Sequence, residues 1–276
     1  MKVKEYPLSL YSSWRLLRLS CCSLHEETAD DLPVVVSLTS IPSRLKTLHL
    51  TIRSLLAQEC KPEKIVLWLN DDLKNSLPET LVQLEGRRFE IRYSPLTCSH
   101  RKLIHSLEAF PDDVIVTCDD DSMYDAGWLG RLWVDHRKFP DSIITHRCRK
   151  ITYGDNDTIL PYAMWPIERE GGATYPELMP VGYGGVLYPP RSLMGDVCKS
   201  ELFLKLTPKA DDLWFKAMSF LQGTQVRKSL DPGMKPIPII RTQGKALKNT
   251  NIKLDQNKMQ WEALCRHYAI RFKGSA

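Results

Sequence analysis

An apolar strand pattern runs directly into three acids in Asp112-Asp113-Val114-Ile115-Val116-Thr117-Cys118-Asp119-Asp120-Asp121-Ser122-Met123-Tyr124. The first half of this segment is apolar and β-branched, a composition typical of a buried strand. Such a strand places the acids that follow it at the carboxyl edge of a sheet, where open α/β sheets bind their ligands. Adjacent carboxylates repel one another, and a divalent cation offsets that repulsion because Mg²⁺ and Mn²⁺ prefer oxygen ligands. We therefore favour a metal site over the alternative interpretation, a solvated acidic turn.

Strand and helix patterns alternate on the N-terminal side of these acids. A buried strand is predicted at residues 32–38, and further strands at 64–69 and 89–93, in addition to the strand that precedes the acids. Helical spacing of apolar residues follows at 45–56, at 77–84 and from residue 100 onward. Four repeats of strand and helix predict an α/β fold, with a mostly parallel sheet and helices on both of its faces.

A polar loop, residues 39–44, separates the first predicted strand from the helix after it. A strand, a loop and a helix in this order offer backbone N–H groups and the guanidinium of Arg44 to a phosphate. The loop is not rich in glycine, so the motif is weakly specific by itself. The alternative interpretation of Arg44 is an ordinary surface arginine.

The regular alternation of strand and helix patterns ends in the segment after the acids. A helix is predicted at 127–139 and a strand at 142–147, but residues 153–180 lose all periodicity and are rich in proline, glycine and aromatic residues. A long segment of this kind in a compact domain is usually a functional loop. Its aromatic rings, including that of Trp165, suit stacking against the faces of sugars, whereas the alternative places each ring in the core.

Three further motifs follow that loop. Residues 182–185, Gly-Tyr-Gly-Gly, lead into an apolar strand and permit close approach of the backbone to a ligand. Asp211 and Asp212 open a predicted helix; we expect one to cap the helix and the other to be a candidate general base. Residues 243–251 are polar and basic, and Lys245 or Lys248 is a candidate counter-charge for a diphosphate.

Composition limits the classes of partner. The net charge of +5 over 276 residues suits an anionic ligand or an anionic membrane surface, but it is too small to indicate nucleic acid, and we expect no nucleic-acid partner.

The eight cysteines are scattered without a Cys-x-x-Cys pair, so a zinc site has no local support. Neither a secretory signal nor a run of eighteen apolar residues is evident, and we expect a reduced, cytoplasmic protein.

The chain is expected to carry an extension, residues 1–31, before a single domain at 32–273. In the extension, Trp14, Leu16, Leu17 and Leu19 alternate with Arg15 and Arg18, which predicts a basic amphipathic helix. Such a helix rests on the inner membrane surface or a partner, or else packs on its own domain. Residues 274–276 resemble a cloning remnant and are set aside.

These motifs, in this order, resemble the metal-dependent nucleotide-sugar glycosyltransferases of the GT-A fold, near the family-2-like group of bacterial enzymes. The resemblance covers roughly residues 32 to 255 and lies in residues 36–44, in Asp119-Asp120-Asp121 where the family keeps its Asp-x-Asp motif, in Gly182-Tyr183-Gly184-Gly185, and in Asp211-Asp212. It implies a Rossmann-like nucleotide-sugar-binding half at 32–125 and an acceptor-binding half at 126–273.

The resemblance also implies roles for single residues. Asp121, with Asp119, would hold Mn²⁺ or Mg²⁺ at the donor diphosphate, and Asp212, or else Asp211, would take the proton of the acceptor hydroxyl with inversion. The other donor-binding residues implied are Thr39, Arg44, Asn70, Asp71, Lys102, Asp119 and Asp120. Tyr183, Gly184 and Gly185, together with Trp165, would face a glycan or lipid-linked acceptor, as in bacterial surface polysaccharide synthesis.

Three other interpretations remain open at this point. The first is a retaining glycosyltransferase of the same fold, which applies if neither Asp211 nor Asp212 reaches the acceptor. The second is a metal-dependent nucleotidyltransferase or phosphodiesterase, although two-metal sites usually need more ligands than this sequence supplies. The third is a non-catalytic module that binds an anionic glycan or lipid, which leaves both acidic groups unexplained.

Overall fold

The computed structural model describes residues 3, 5–28, 30–240, 242 and 255–272. A seven-stranded sheet forms the centre of the molecule, in the order β10-β6-β9-β4-β1-β2-β3. Its strands are β1 (Leu32–Thr39), β2 (Pro62–Asn70), β3 (Phe89–Ser94), β4 (Val114–Thr117), β6 (Ile143–Thr145), β9 (Val186–Tyr188) and β10 (Val226–Lys228). Two short two-stranded sheets pair β5 (Ser122–Met123) with β11 (Ile237–Pro238), and β7 (Cys148–Lys150) with β8 (Leu178–Pro180).

The sheet is mostly parallel, and this confirms the α/β class predicted from the sequence. Strand β1 pairs in parallel with β2 and β4, β2 with β3, and β6 with β10. The exception is β9, which runs antiparallel between β4 and β6 and sets Val186 opposite both Thr117 and Thr145. Because of this reversal, the loop that enters β9 lies at the same edge of the sheet as the ends of β4 and β6.

Helices flank the sheet in the described residues. They are α1 (Glu5–Leu17), α2 (Cys21–His25), α3 (Leu45–Leu56), α4 (Glu79–Val82), α5 (Arg101–Ala109), α6 (Trp128–Lys138), α7 (Ser200–Leu206), α8 (Asp211–Gln222) and α9 (Gln256–Tyr268). One apolar cluster lies around β1, β2 and α3, and a second lies around α8 and α9. None of the described helices is long and apolar enough to cross a membrane.

Two segments differ from their sequence-based predictions. The helix predicted at 77–84 shortens to α4, because Pro78 is held extended at φ −63°, ψ 138° and the chain becomes helical only after it. The loop predicted at 153–180 ends in strand β8, which pairs with β7 and puts Leu178 opposite Lys150. Periodicity missed this strand because it has three residues, too few to show alternation.

Helix α1 packs on the domain through a face that contains two buried serines. Ser9 and Ser12 are buried, and the Ser9 hydroxyl donates to the carbonyl of Pro238 over 2.8 Å. Leu16 completes this inward face and packs in a small cluster with Met123 and other apolar residues. The large apolar side chains of α1 point the other way and are exposed: Tyr6, Leu8, Leu10, Tyr11, Trp14 and Leu17.

Candidate active site

The three consecutive acids follow the carboxyl end of β4 and differ in exposure. Cys118, which joins them to the strand, is fully buried. The side chain of Asp119 is 36% exposed and that of Asp121 is 15% exposed, whereas that of Asp120 is 5% exposed. Asp119 is therefore the member of the triplet most accessible to a ligand, and Asp120 belongs to the interior.

Asp120 is held by the loop after β1. Its carboxylate accepts hydrogen bonds from the Ser40 hydroxyl and from Nη1 of Arg44, each over 2.5 Å. Nη2 of the same arginine lies 3.1 Å from Oδ2 of Asp121. The loop predicted to offer Arg44 to a phosphate thus brings this cation to the acids, where Asp120 fixes its position.

Asp121 carries an unfavourable charge in this environment. Burial raises the pKa of its carboxyl group to about 6, and repulsion by Asp119 adds to the effect while Arg44 opposes it. Asp119 is thus close enough to disfavour ionisation of Asp121. A positive charge shared by Asp119 and Asp121 would relieve that repulsion.

Lys102, from the first turn of α5, joins these acids to the second acidic pair. Its ammonium nitrogen lies 3.1 Å from Oδ1 of Asp119 and 3.0 Å from Oδ2 of Asp211. Burial alone would lower the pKa of this lysine, but Asp211 and Asp119 outweigh it and raise the pKa well above the usual range. The structure thus brings together two acidic groups that are far apart in the sequence.

Asp211 and Asp212 begin α8 as predicted, and they differ in environment. Burial disfavours the charge on Asp211, but the Lys102 ammonium outweighs it and lowers the pKa of this carboxyl group. Burial raises the pKa of Asp212 to about 7, and the negative charge of Asp211 contributes. Both carboxylate oxygens of Asp212 accept from the Gly182 amide, at 3.1 and 3.2 Å. Asp211 is thus held as an ion, and Asp212 can exchange a proton near neutral pH.

The Gly182–Gly185 loop fits against these side chains because its three glycines lack β-carbons. A β-carbon at Gly182 would lie 2.9 Å from Oδ1 of Asp212 and 3.2 Å from Nζ of Lys102. At Gly185, where φ is +100°, it would lie 2.5 Å from the ring of Trp128. Tyr183 sits between these glycines, and its carbonyl accepts a hydrogen bond from the Tyr124 hydroxyl.

The remaining residues predicted to bind the donor lie at the same sheet edge or outside the described residues. Thr39 donates to the carbonyl of Trp68 over 2.8 Å and ends β1. The carbonyl oxygen of the Asn70 side chain accepts from the amide of Asp72 over 3.1 Å, and Asp71 forms an exposed ion pair with Lys74. Lys245 and Lys248 lie outside the described residues.

The position of Trp165 contradicts the prediction that its ring faces the acceptor. Its side chain is fully buried within the core cluster around α8, and its indole N–H donates to the carbonyl of Leu160 over 2.9 Å. No face of the ring is left for a sugar, because the whole side chain is buried. Burial is favourable here because the indole N–H has a hydrogen-bond partner. The alternative that the sequence left open, a loop aromatic inserted into the core, is the one observed.

Several residues of the site were not singled out from the sequence. Arg101 is buried and uses its guanidinium to hold the loop after β1, donating to the side chain of Thr39 and to the carbonyl of Ser40. Tyr124 accepts from the amide of Asp119 over 2.9 Å. Arg147 lies against Gly184 of the glycine loop, and Arg149 follows two residues later. Nothing in the sequence distinguishes these two arginines from the others, because only the fold brings them to the site.

The acids offer a partial set of metal ligands. Carboxylate oxygens of Asp119 and Asp121 are hard donors of the kind that Mg²⁺ and Mn²⁺ prefer. Within the described ranges, no group of three or more histidine, cysteine, aspartate and glutamate side chains is arranged to hold a metal ion. The donor set therefore fits a cation that is shared with a bound diphosphate, which is how Mg²⁺ is commonly held.

The mostly parallel sheet and the acids at its carboxyl edge define a protein of the GT-A type. The sequence model of glycosyl transferase family 2 matches residues 41–193, more than half of the chain. The chain belongs to this family. The match includes the Arg44 loop, the acidic triplet and the glycine loop, and it ends before Asp211. The family uses nucleotide-sugar donors and separate acceptors, and GT-A folds commonly use divalent metals.

Two solved structures that resemble the chain are 13% and 14% identical to it, and no curated protein matches it in sequence. The structure of 4-diphosphocytidyl-2C-methyl-D-erythritol synthase from Anaerococcus prevotii DSM 20548 is 13% identical with a TM-score of 0.45, covering 80% of this chain and 94% of that one. A CMP:2-keto-3-deoxy-manno-octonic acid synthetase complexed with CTP is 14% identical with a TM-score of 0.43, covering 82% and 99%.

Proposed function

We propose that the protein transfers a sugar from a nucleoside-diphosphate sugar to a hydroxyl group of a glycan or lipid-linked acceptor, with inversion at the anomeric carbon. The observation that carries the proposal is the Lys102 bridge, which joins Asp119 on the donor side to Asp211 in the pair that holds the base. Family membership supports a donor of this class. An acceptor used in surface polysaccharide synthesis carries hydroxyl groups and would therefore suit this transfer reaction.

Asp212 is the proposed general base. The acceptor oxygen attacks the anomeric carbon and gives its proton to the Asp212 carboxylate, while the bond from that carbon to the diphosphate breaks and its electron pair leaves with the diphosphate oxygen. A base is most effective when its pKa lies near the working pH. Asp212 meets this requirement, and Asp211 does not, because its ion pair with Lys102 holds it as a weak base.

The donor side of the site is proposed to be Asp119, Asp121 and Arg44. A divalent cation bound by the two acids would neutralise charge on the departing diphosphate. Arg44, positioned by Asp120, would contact a phosphate oxygen through the donors of its guanidinium that the acids do not use. Thr39 and Asn70 lie at the ends of neighbouring strands and are proposed to border the nucleotide.

Helix α1 is proposed to rest on an anionic membrane surface. Its exposed stripe contains Tyr6, Leu10, Trp14 and Leu17, and Arg18 lies 4.7 Å from the centre of the Trp14 ring. Tryptophan, leucine and arginine together are typical of helices that lie in the membrane interface. Because α1 packs against β11, next to the acids, a lipid surface on this stripe would also lie close to the donor site.

A donor screen tests the proposed function. The melting temperature is measured with a panel of nucleoside diphosphates and their sugars, with and without Mn²⁺, and hydrolysis of each nucleotide sugar is followed in parallel. A ligand at about 100 times its Kd adds about 2.7 kcal/mol of stability, which raises the melting temperature by several degrees. Absence of both stabilisation and hydrolysis across the panel would rule the proposal out.

A further inference from the structure

Two arginines that have no acidic partner among the described residues lie at the acceptor side of the candidate site. Arg147 directly precedes β7 and Arg149 lies within it. Alternate residues of an extended chain face the same side, and Cys148 between them is buried on the other. In the part of the chain that the structure describes, Arg147 donates to the carbonyl of Gly233 over 3.1 Å and Arg149 donates to the carbonyl of Trp165 over 2.5 Å.

The glycine loop brings Arg147 to the site. The Val181 amide donates to the carbonyl of Arg147 over 2.8 Å, which fixes the strand beside the loop. The side chain of Arg147 lies over Gly184, where a β-carbon would collide with Cγ of the arginine. Gly184 therefore makes room for this cation in the same way as Gly182 makes room for Asp212.

Arg149 reaches the same corner through Tyr162. Its guanidinium carbon lies 5.0 Å from the centre of the Tyr162 ring. Burial raises the pKa of Tyr162 to about 12, and the charges of Arg149 and Asp212 both act on this hydroxyl group. Both arginines likewise act on the hydroxyl of Tyr183, whose pKa burial raises. Arg149 and Asp212, the proposed base, are thus both near the hydroxyl group of Tyr162. Arg147 and Arg149 are both near the hydroxyl group of Tyr183.

Cations in such a position favour a bound anion. Nε of Arg147 is buried and has no hydrogen-bond partner among the described residues, and a buried donor without a partner is unfavourable. The planar fork of arginine matches the oxygens of a carboxylate or phosphate, and its donors are stronger when the acceptor is charged. A neutral sugar would leave both arginines without a negatively charged partner among the described residues.

We propose that the acceptor carries an anionic group, a carboxylate or a phosphate, and that Arg147 and Arg149 bind it beside Asp212. The inference rests on the proposed function, because it assigns the acceptor of the same site. The donor diphosphate is the other anion of the reaction, but Asp119 of the proposed donor side lies close to Gly182, whereas Arg147 lies against Gly184. Binding of the anionic group would hold a nearby hydroxyl of the acceptor against the base.

Binding of three small sugars tests this inference on the wild-type protein. Dissociation constants are measured by calorimetry for glucuronate, glucose 6-phosphate and glucose. We expect at least one anionic sugar to bind about tenfold or more tightly than glucose, as charge-assisted hydrogen bonds require. A response to glucuronate alone identifies a carboxylate, and a response to glucose 6-phosphate alone identifies a phosphate. If neither anion binds more tightly than glucose, the inference is wrong.

Variants locate the binding site. R147Q and R149Q should each remove most of the preference for the anion, whereas R137Q, an exposed arginine near the end of α6, should keep it. Nucleotide-induced stabilisation is measured on the same samples and should be unchanged, which also shows that the variants are folded. Loss of nucleotide binding in R147Q or R149Q would assign the arginines to the donor and overturn the inference. If the anion preference persists but no nucleotide sugar binds, the proposed function fails and the anion site stands.

Discussion

The ammonium nitrogen of Lys102 lies 3.0 Å from a carboxylate oxygen of Asp211, at the start of α8. The same nitrogen contacts Asp119, which follows β4 on the other side of the site. Because Lys102 is only 5% exposed, water screens these ion pairs weakly. One buried cation therefore fixes the distance between the proposed donor side and the proposed base, and the predictions below depend on that geometry.

Replacement of Asp212 should separate chemistry from donor binding. D212N keeps the shape of the side chain but cannot accept a proton, so kcat should fall by about 10²–10⁴-fold, the usual contribution of a general base. Donor affinity, measured by nucleotide-induced stabilisation, should change little. D211N serves as the comparison and should lose less activity. Full activity in D212N with an inactive D211N would transfer the role of base to Asp211.

The pH dependence of kcat/KM should report the ionisation of Asp212. A base must be ionised to act, and burial together with Asp211 raises its pKa to about 7. Activity should therefore be lost as the pH falls through about 7 and be constant above it. D211N removes one negative neighbour, so its acid limb should move to lower pH. An acid limb that stays in place in D211N would show that another group controls the profile.

Replacement of Asp121 tests the donor side. D121N should abolish the part of nucleotide binding that depends on Mn²⁺, because the amide is a weaker ligand for a hard cation. The melting temperature without ligand should fall little. D113N, which changes an exposed acid just before β4, is the matched control and should bind as the wild type does. Mn²⁺-dependent affinity that survives in D121N would contradict the assignment.

The local parts of this molecule were predictable from its sequence. Strands β1, β2 and β4 contain apolar runs, and buried strands leave that pattern directly in the sequence. Strand β3 alternates apolar and polar residues, which is also a strand pattern. The acids after β4 and at the start of α8 were likewise visible, because each group is contiguous. The position of Arg44 followed from the order of strand, loop and helix alone.

The contacts between distant residues were not predictable. The Lys102 bridge joins Asp119 to Asp211, and a single sequence holds no record of that pairing. The reversal at β9 brings Arg147 to the site, but a three-residue strand does not reveal its direction. Trp165 lies in a segment without periodicity, and periodicity is the signal from which burial is inferred.

Vesicle binding tests the proposed membrane contact of α1. The protein should sediment with phosphatidylcholine vesicles that contain phosphatidylglycerol more than with vesicles that lack it. W14S should weaken this binding about tenfold, because burial of a large apolar side chain contributes about 1.5–3 kcal/mol. L204S changes an exposed leucine on α7 and is the control. Equal binding of W14S and the wild type, or no binding by either, would exclude this role.

Substitution of Gly182 tests the close approach on which the placement of the base depends. In G182A the new methyl group would lie 2.9 Å from Oδ1 of Asp212 and 3.2 Å from Nζ of Lys102, so both side chains must shift. A displacement of about 1 Å in a reacting group can cost about 10²-fold in rate, and we expect kcat to fall by that order. The measurement is the rate of sugar transfer or of donor hydrolysis at saturating donor.

The matched control for this variant is G195A, where a β-carbon meets no atom within 4 Å. G195A should retain wild-type kcat, and the melting temperature of both variants shows whether the fold is intact. A folded G182A protein with wild-type kcat would mean that the Asp212 carboxylate need not lie against the glycine amide during transfer. The base would then have to act from another position. The difference between the pKa values of Asp211 and Asp212 would no longer indicate which of them is the base.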